Sequence, residues 1–241
     1  MPNTPAPPTA LCFDLDDTLI DDVAASSAGL RTVMERLGHP DFGAARALWD
    51  TQTEISFGAY LRGHLSLEEQ RRERIRALAV QAGHNNVADQ HCDELYRLYL
   101  DTHRSAWQVY PDTHSTLAAL RQAGYRLAVL TNGIEALQHA KLQAMELTGY
   151  FHTVVCADSA GAGKPDPRIF HHTAQRLGVD PTDCWHVGDQ VQADGVGAIA
   201  ARMHPVIIDR SGRAPFEGIT TITDLGSLPR MLGVPTPSGT L

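Results

Sequence analysis

The sequence is poor in the features that mark secreted, membrane-spanning or nucleic-acid-binding chains. Its 241 residues include four cysteines, Cys12, Cys92, Cys156 and Cys184, with no C-x-x-C pair among them. That argues against a thiolate metal site and a disulfide framework. Three of the four fall in apolar stretches that read as core strands, so reduced and buried thiols are expected. No apolar run approaches the roughly 20 residues that cross a bilayer. The Pro-rich opening, residues 1–10, lacks the basic and apolar segments of a secretory signal. The twelve histidines are scattered without zinc-ligand spacing. Positive charge is in deficit: 20 Lys and Arg against 28 Asp and Glu leave a net charge of −8. Such a balance does not suit a protein that holds nucleic acid by neutralising phosphates. A cytoplasmic chain with no membrane and no nucleic-acid partner is the expectation, as a monomer or a homodimer.

What is present is an ordinary apolar content, 43% hydrophobic, in a chain long enough to bury a substantial core. Residues 10–13 form a short apolar strand, followed by three acids within four positions, Asp14, Asp16 and Asp17. Carboxylates crowded at the end of a buried strand repel one another unless a cation sits among them. Residues 21–106 then contain no strand candidate. Apolar spacing predicts helices over 22–37, 42–55 and 87–103, and Ser66-Leu67-Glu68-Glu69 is a capping box opening another.

From Tyr110 the pattern alternates. Helices are predicted over 112–123, 134–147 and 167–177 and on to about 198, with strands at 126–130, 154–157, 184–187 and 206–208 and an edge strand at 219–222. Asp166, Pro167 and Gly178 supply N-cap, first residue and terminator of the 167–177 helix. Alternation of this kind implies a parallel sheet covered on both faces. Ligands of such sheets bind beyond the carboxyl ends of the strands. Those ends carry Asp14 and Asp16, then Thr131-Asn132-Gly133, then Gly163-Lys164-Pro165, then Gly188-Asp189 with Asp194 five residues on. One rim thus gathers acids for a hard cation and a hydroxyl, N–H groups and a lysine for an anion. Two decoys fail. Residues 158–165 miss the P-loop's first glycine and its Ser or Thr, and Gly195-Val196-Gly197 lies too far from its strand for a dinucleotide fingerprint, so these small residues are expected to serve close packing.

Phe13-Asp14-Leu15-Asp16-Asp17-Thr18-Leu19, Leu130-Thr131-Asn132-Gly133, Gly163-Lys164-Pro165-Asp166-Pro167 and Gly188-Asp189-x-x-x-x-Asp194 resemble the four ordered motifs of the haloacid dehalogenase (HAD) superfamily, over about residues 10–210. The resemblance implies an α/β fold with a Rossmann-like, doubly wound parallel core formed by residues 10–20 and 107–233. Residues 21–106 would be an inserted helical cap that sets the substrate, and residues 1–9 and 234–241 flexible tails. It further implies an Mg2+-dependent phosphatase acting on a small phosphorylated metabolite. In that scheme Asp14 is the nucleophile and Asp16 the acid/base. Thr131, Asn132 and Lys164 hold the phosphoryl group, and Asp14, the Asp16 carbonyl, Asp189 and Asp194 hold the metal. Asp16 separates this reading from a hydrolytic 2-haloacid dehalogenase, whose members usually carry a non-acidic residue there. The same motifs could belong to a phosphomutase, whereas a catalytically retired binding domain would be expected to have lost one of the acids or Lys164. Two departures from the family pattern stand out: Arg202 where glycine is common, and Gln190 where Ser or Thr is frequent. Asp22, Arg62, His64, Arg72 and Arg74 are candidate polar contacts from the cap.

Overall fold

The computed structural model describes residues 7–212 and 218–235. The tails expected at 1–9 and 234–241 lie mainly outside those residues, and Thr9 is already tied into the fold, its N–H donating to the Asp183 carbonyl at 2.8 Å. Six strands, β1 (Ala10–Phe13), β2 (Arg126–Thr131), β3 (Thr153–Cys156), β4 (Cys184–Gly188), β5 (His204–Ile208) and β6 (Thr220–Ile222), form one sheet in the order β3-β2-β1-β4-β5-β6. Every pairing is parallel. Order runs one way from β1 to β3 and the other way from β4 to β6, so the strand order reverses beside β1. The expected α/β class is what the chain adopts.

The chain divides into two compact units, Asp22–Gln108 and the remainder. The first holds α1 (Asp22–Leu37), α2 (Phe42–Leu61), α3 (Leu67–Gln81) and α4 (Asp89–Ser105). Its core joins Leu30 and Val33 of α1, Trp49 of α2, Ile75 and Leu78 of α3, and Leu95 and Tyr99 of α4. Gly29 lets α1 lie close on α4, since a Cβ there would stand 2.7 Å from the Tyr99 ring. The capping box forms in full: Ser66 Oγ accepts from the Glu69 N–H at 3.1 Å and Glu69 Oε2 from the Ser66 N–H at 2.6 Å.

In the second unit the strands are followed by α5 (Thr113–Gln122), α6 (Glu135–Ala144), α7 (Ala157–Ala160), α8 (Pro167–Leu177), α9 (Gly197–Ala200) and α10 (Ser227–Met231). Alternation along each strand sends residues to opposite faces. Leu11, Phe13, Leu127, Val129 and Val187 pack with Leu117 and Leu120 of α5 and Leu142 of α6. Ala10, Cys12, Ala128 and Cys184 face Ile169, Phe170 and Ala174 of α8 and Ala198 of α9. The small strand side chains of that second face allow close helix approach. All four cysteines are free and buried. Among the described residues no helix is long and apolar enough to cross a membrane.

Differences from the expected elements have local causes. Helix α2 runs six residues past 55 because nothing before Arg62 and Gly63, the latter at φ 72°, stops it. The stretch expected to be an α-helix up to Ala198 opens instead with a π-helical turn, Val191–Val196, in which the Gly195 N–H reaches back to the Gln190 carbonyl at 3.3 Å. Gly197 serves packing, as a Cβ there would meet the Phe170 ring at 2.7 Å and Pro165 Cα at 3.0 Å.

Candidate active site

The site is assembled at the carboxyl ends of β1, β2 and β4 and from the loop after β3. Asp14 directly follows β1; its N–H donates to the Val187 carbonyl at 2.8 Å, and its side chain is buried. The chain then turns through Asp17, which sits in the left-handed region at φ 59° with its N–H on the Ile20 carbonyl at 2.7 Å. Asp17 is thus a turn residue, and the turn holds Asp16 beside Asp14 on one rim.

Lys164 is brought to the same rim by Asn132. The Asn132 side chain accepts from the Lys164 N–H at 2.6 Å and donates to the Lys164 carbonyl at 2.9 Å, locking the loop after β3 to the end of β2. The buried Lys164 Nζ then lies 2.6 Å from Asp14 Oδ1 and 2.6 Å from Asp194 Oδ1. The π-helical turn aims Asp194 inward. Its Oδ1 also lies 2.8 Å from His186 Nε2, and its Oδ2 accepts from the Gln190 N–H at 3.0 Å. Gly188 makes room for it: a Cβ there would fall 2.1 Å from Asp194 Cγ.

Charge and burial set the electrostatics. Burial drives the Asp14 carboxyl up to about 7, the neighbouring acids add to this, and the Lys164 ammonium only partly offsets it. Burial likewise lifts Asp189 to about 8, with Asp14 and Asp194 reinforcing the rise. Burial also opposes ionisation of Asp194, but the Lys164 charge and the His186 hydrogen bond outweigh it and hold that carboxyl below its ordinary range. Lys164 would lose its proton more readily on burial, yet Asp14 and Asp194 keep it above the usual lysine value.

Asp14, Asp189 and Asp194 each offer a carboxylate oxygen, all within 4.8 Å of one another. Asp189 Oδ1 is buried and has no hydrogen-bond partner among the described residues. An orphaned buried carboxylate oxygen within a cluster of like charges is costly, and a divalent cation would relieve both terms. Hard oxygen donors are what Mg2+ takes, so the donor set fits that ion. The Asp16 side chain is not a member of the triplet.

A cavity of about 80 Å³, room for several water-sized groups, is lined by Asp14, Asp16, Thr131, Asn132, Gly133, Lys164, Gln190 and Ala193. All four residues expected to act on substrate, Asp14, Asp16, Thr131 and Lys164, therefore line one space, together with Asn132. Three further residues were not evident from the sequence: Gln138 and Lys141 on α6 and His186 on β4, all buried and all bonded to the carboxylates of this rim. Gln138, Lys141 and Leu142 share one face of α6, and a glutamine and a lysine where a buried stripe calls for apolar residues was the available signal. Of the cap candidates, Arg72 is engaged by Asp89 and Asp93, Arg74 is buried against Gln70 and Tyr96, and Asp22 meets His103. These three serve the helical unit's own packing, whereas Arg62 and His64 are exposed.

Known proteins bear on this arrangement. A phosphoserine phosphatase of Thermus thermophilus is 32% identical over 224 residues, covering 84% of this chain and 89% of that protein. Among solved structures, a Bacillus subtilis HAD hydrolase bound to magnesium superposes with a TM-score of 0.81 at 23% identity, over 95% of this chain and 100% of that one. A 2-haloacid dehalogenase of Pseudomonas syringae pv. Tomato gives a TM-score of 0.68 at 26% identity, over 93% and 98%. The family model for haloacid dehalogenase-like hydrolases matches residues 8–202. With its four motif regions gathered on one rim of a parallel sheet, the chain belongs to the haloacid dehalogenase-like hydrolase family.

Proposed function

We propose that the protein is a Mg2+-dependent phosphatase that hydrolyses a small phosphorylated metabolite through a phosphoaspartyl intermediate. The observation that carries this reading is the pairing of two carboxylates of different character on one cavity. Asp14 is buried and held 2.6 Å from the Lys164 ammonium, and Asp16 lines the same space with its side chain 30% exposed. In the first step an Asp14 oxygen bonds to phosphorus as the bond from phosphorus to the ester oxygen breaks. The electron pair goes to the leaving oxygen, which takes a proton from Asp16. In the second, water attacks phosphorus and gives its proton to Asp16, the Asp14–phosphorus link breaks, and orthophosphate leaves. Thr131, the Asn132 N–H and Lys164 hold the equatorial oxygens and their growing charge. Asp14, Asp189 and Asp194, with the Asp16 carbonyl, would hold the metal, which when bound supplies positive charge between an anionic nucleophile and an anionic substrate.

The likeness to a phosphoserine phosphatase supports the reaction class. A dehalogenase has no use for a proton donor beside the leaving group, and Asp16 stands there. The test is phosphate release from phosphoserine, phosphoglycolate, a sugar phosphate and a nucleoside monophosphate, with and without Mg2+, for the native chain and Asp14→Asn. Turnover that depends on Mg2+ and falls by at least ~1,000-fold in the variant is expected, as for loss of a covalent nucleophile. Equal turnover by the variant would sink the phosphoaspartyl route, and chelator-resistant halide release from 2-chloropropionate would favour the dehalogenase. We further propose the helical unit, Asp22–Gln108, as the substrate-selecting cap.

A further inference from the structure

Helix α6 enters the site without contributing to any of the four motifs. Lys141 Nζ lies 2.5 Å from Asp16 Oδ1, and Gln138 Nε2 donates to Asp16 Oδ2 at 2.9 Å. Each oxygen of the acid/base candidate therefore has its own donor, both sent from one helical face. The same Gln138 nitrogen donates its second hydrogen to Thr131 Oγ1 at 2.8 Å, which also accepts from the Gly133 N–H at 3.1 Å. A carboxylate on one side obliges the amide to present nitrogen, because its oxygen would meet Asp16 with like charge. A hydroxyl has two lone pairs and one proton. With both lone pairs of Thr131 taken, its proton is left to point into the cavity that Thr131 lines.

This arrangement is held in place sterically. Gly133 is required beside Gln138, since a Cβ there would stand 2.4 Å from the Gln138 amide carbon. Gln138 is fully buried and Lys141 is 2% exposed. Gln138 Oε1 is buried with no hydrogen-bond partner among the described residues. A buried amide left half-satisfied and a buried lysine are poor choices for stability alone; a fixed orientation for Asp16 and Thr131 gives them a purpose.

We propose that Gln138 and Lys141 are positioning residues: Lys141 and Gln138 clamp the Asp16 carboxyl where it can protonate the leaving oxygen, and Gln138 also turns the Thr131 hydroxyl into a donor for the phosphoryl group. The inference rests on the phosphatase reading above and on Asp16 as its acid. Misplacing a reacting group by about 1 Å costs up to ~100-fold. The penalty should fall on esters whose leaving oxygen needs a proton.

The experiment compares kcat/KM, which covers only the steps through formation of the phosphoenzyme, for two kinds of ester. One is 4-nitrophenyl phosphate, whose leaving group departs without protonation; the other is the faster of phosphoserine and phosphoglycolate. Asp16→Asn calibrates the assay and is expected to discriminate strongly against the alkyl ester. Lys141→Met is expected to lose about 10- to 100-fold on the alkyl ester and less than about 3-fold on the aryl ester. Gln138→Leu should add to a several-fold loss common to both esters, from the freed Thr131 hydroxyl, a further loss of about 10-fold on the alkyl ester alone, and, unlike Lys141→Met, should weaken competitive inhibition by inorganic phosphate several-fold. Retained aryl esterase activity certifies folding, and if Lys141→Met does not fold, Gln138→Leu carries the comparison. Equal losses on both esters, or none, while Asp16→Asn discriminates, overturn the clamp and leave the acid assignment standing. If Asp16→Asn itself treats both esters alike, the acid assignment falls and takes the clamp with it.

Discussion

At the scale of single residues the site is a problem of crowding. Asp14, Asp189 and Asp194 crowd together beside one buried lysine; that lysine holds Asp14 and Asp194, and a small neighbour makes room for Asp194. Gly188 is that neighbour. A methyl group there would lie 2.1 Å from Asp194 Cγ and 2.3 Å from its Oδ2, a separation that forces movement of a side chain pinned by Lys164, His186 and the Gln190 N–H. Gly188→Ala is therefore expected to displace Asp194, lower kcat/KM by about 100-fold and raise the Mg2+ concentration for half-maximal rate. Overpacking should also cost about 1–3 kcal/mol of stability. Urea unfolding and a magnesium titration of activity would show both; wild-type values in the two assays would mean that Asp194 is not held by this contact. The residues that do chemistry in the proposed scheme were legible because motif spacing and strand ends coincide. Gln138 and Lys141 were harder to read, since a helical face carrying two polar residues looks solvated until the sheet behind it is known. His186 had even less signal: one histidine between Trp185 and Val187 looks like any core histidine.

At the scale of elements, helix ends were the most readable features, because caps are local chemistry. Asp166, Pro167 and Gly178 bound α8 as their residue types require, Gly178 at φ 67°. The capping box of α3 makes a pH prediction. The Glu69 carboxylate accepts from the Ser66 N–H, and that bond, with the Ser66 side chain next, pulls its pKa below the ordinary 4.5. A depressed carboxyl contributes stability that is complete above the unfolded-state value and vanishes as pH falls through the folded one. The urea midpoint of Glu69→Gln should accordingly lie below the native one at pH 7, and the gap should close as pH falls below 4.5 and through the depressed folded value; a constant gap over the whole descent would show that the charge is irrelevant to the cap. What could not be read at this scale was the π-helical turn at Val191–Val196, because one widened turn leaves no periodic trace. The end of α9 is the converse case, where an unusual residue was visible and its consequence is now specific. Arg202 occupies the left-handed region at φ 64°. That conformation costs a side-chain-bearing residue about 1–2 kcal/mol, of which glycine's greater unfolded-state freedom returns about 0.5–1 kcal/mol. Arg202→Gly should thus stabilise the chain by about 0.5–1 kcal/mol with unchanged phosphate release, as read by thermal unfolding and the activity assay.

At the scale of the whole molecule, the fold class followed from alternation of apolar strands and amphipathic helices. The β3-β2-β1-β4-β5-β6 order did not, because helix packing decides on which side of β1 each new strand is laid. That order matters energetically, since it brings β4 next to β1 and so sets Asp189 and Asp194 against Asp14. Three carboxylates crowded beside one lysine are a load on the α/β unit that Lys164 relieves only in part, and a cation that binds only the folded state must stabilise it. At a free Mg2+ concentration 100 times its Kd the gain is about 2.7 kcal/mol, which for a chain of this size shifts the unfolding midpoint by roughly 5–10 °C. Trp185 is buried in β4 within that unit, while Trp49 and Trp107 belong to the helical unit. A chain carrying Trp49→Phe and Trp107→Phe would report unfolding of the α/β unit alone through Trp185 fluorescence. Mg2+ should raise the midpoint followed in this way, the chelator should reverse it, and Asp189→Asn should remove most of the shift by deleting the ligand whose Oδ1 has no protein donor among the described residues. Because the readout needs no turnover, it separates the metal from the chemistry: a midpoint insensitive to Mg2+ in the native chain would mean that the carboxylate cluster is balanced by Lys164 alone, even if phosphate release were later observed.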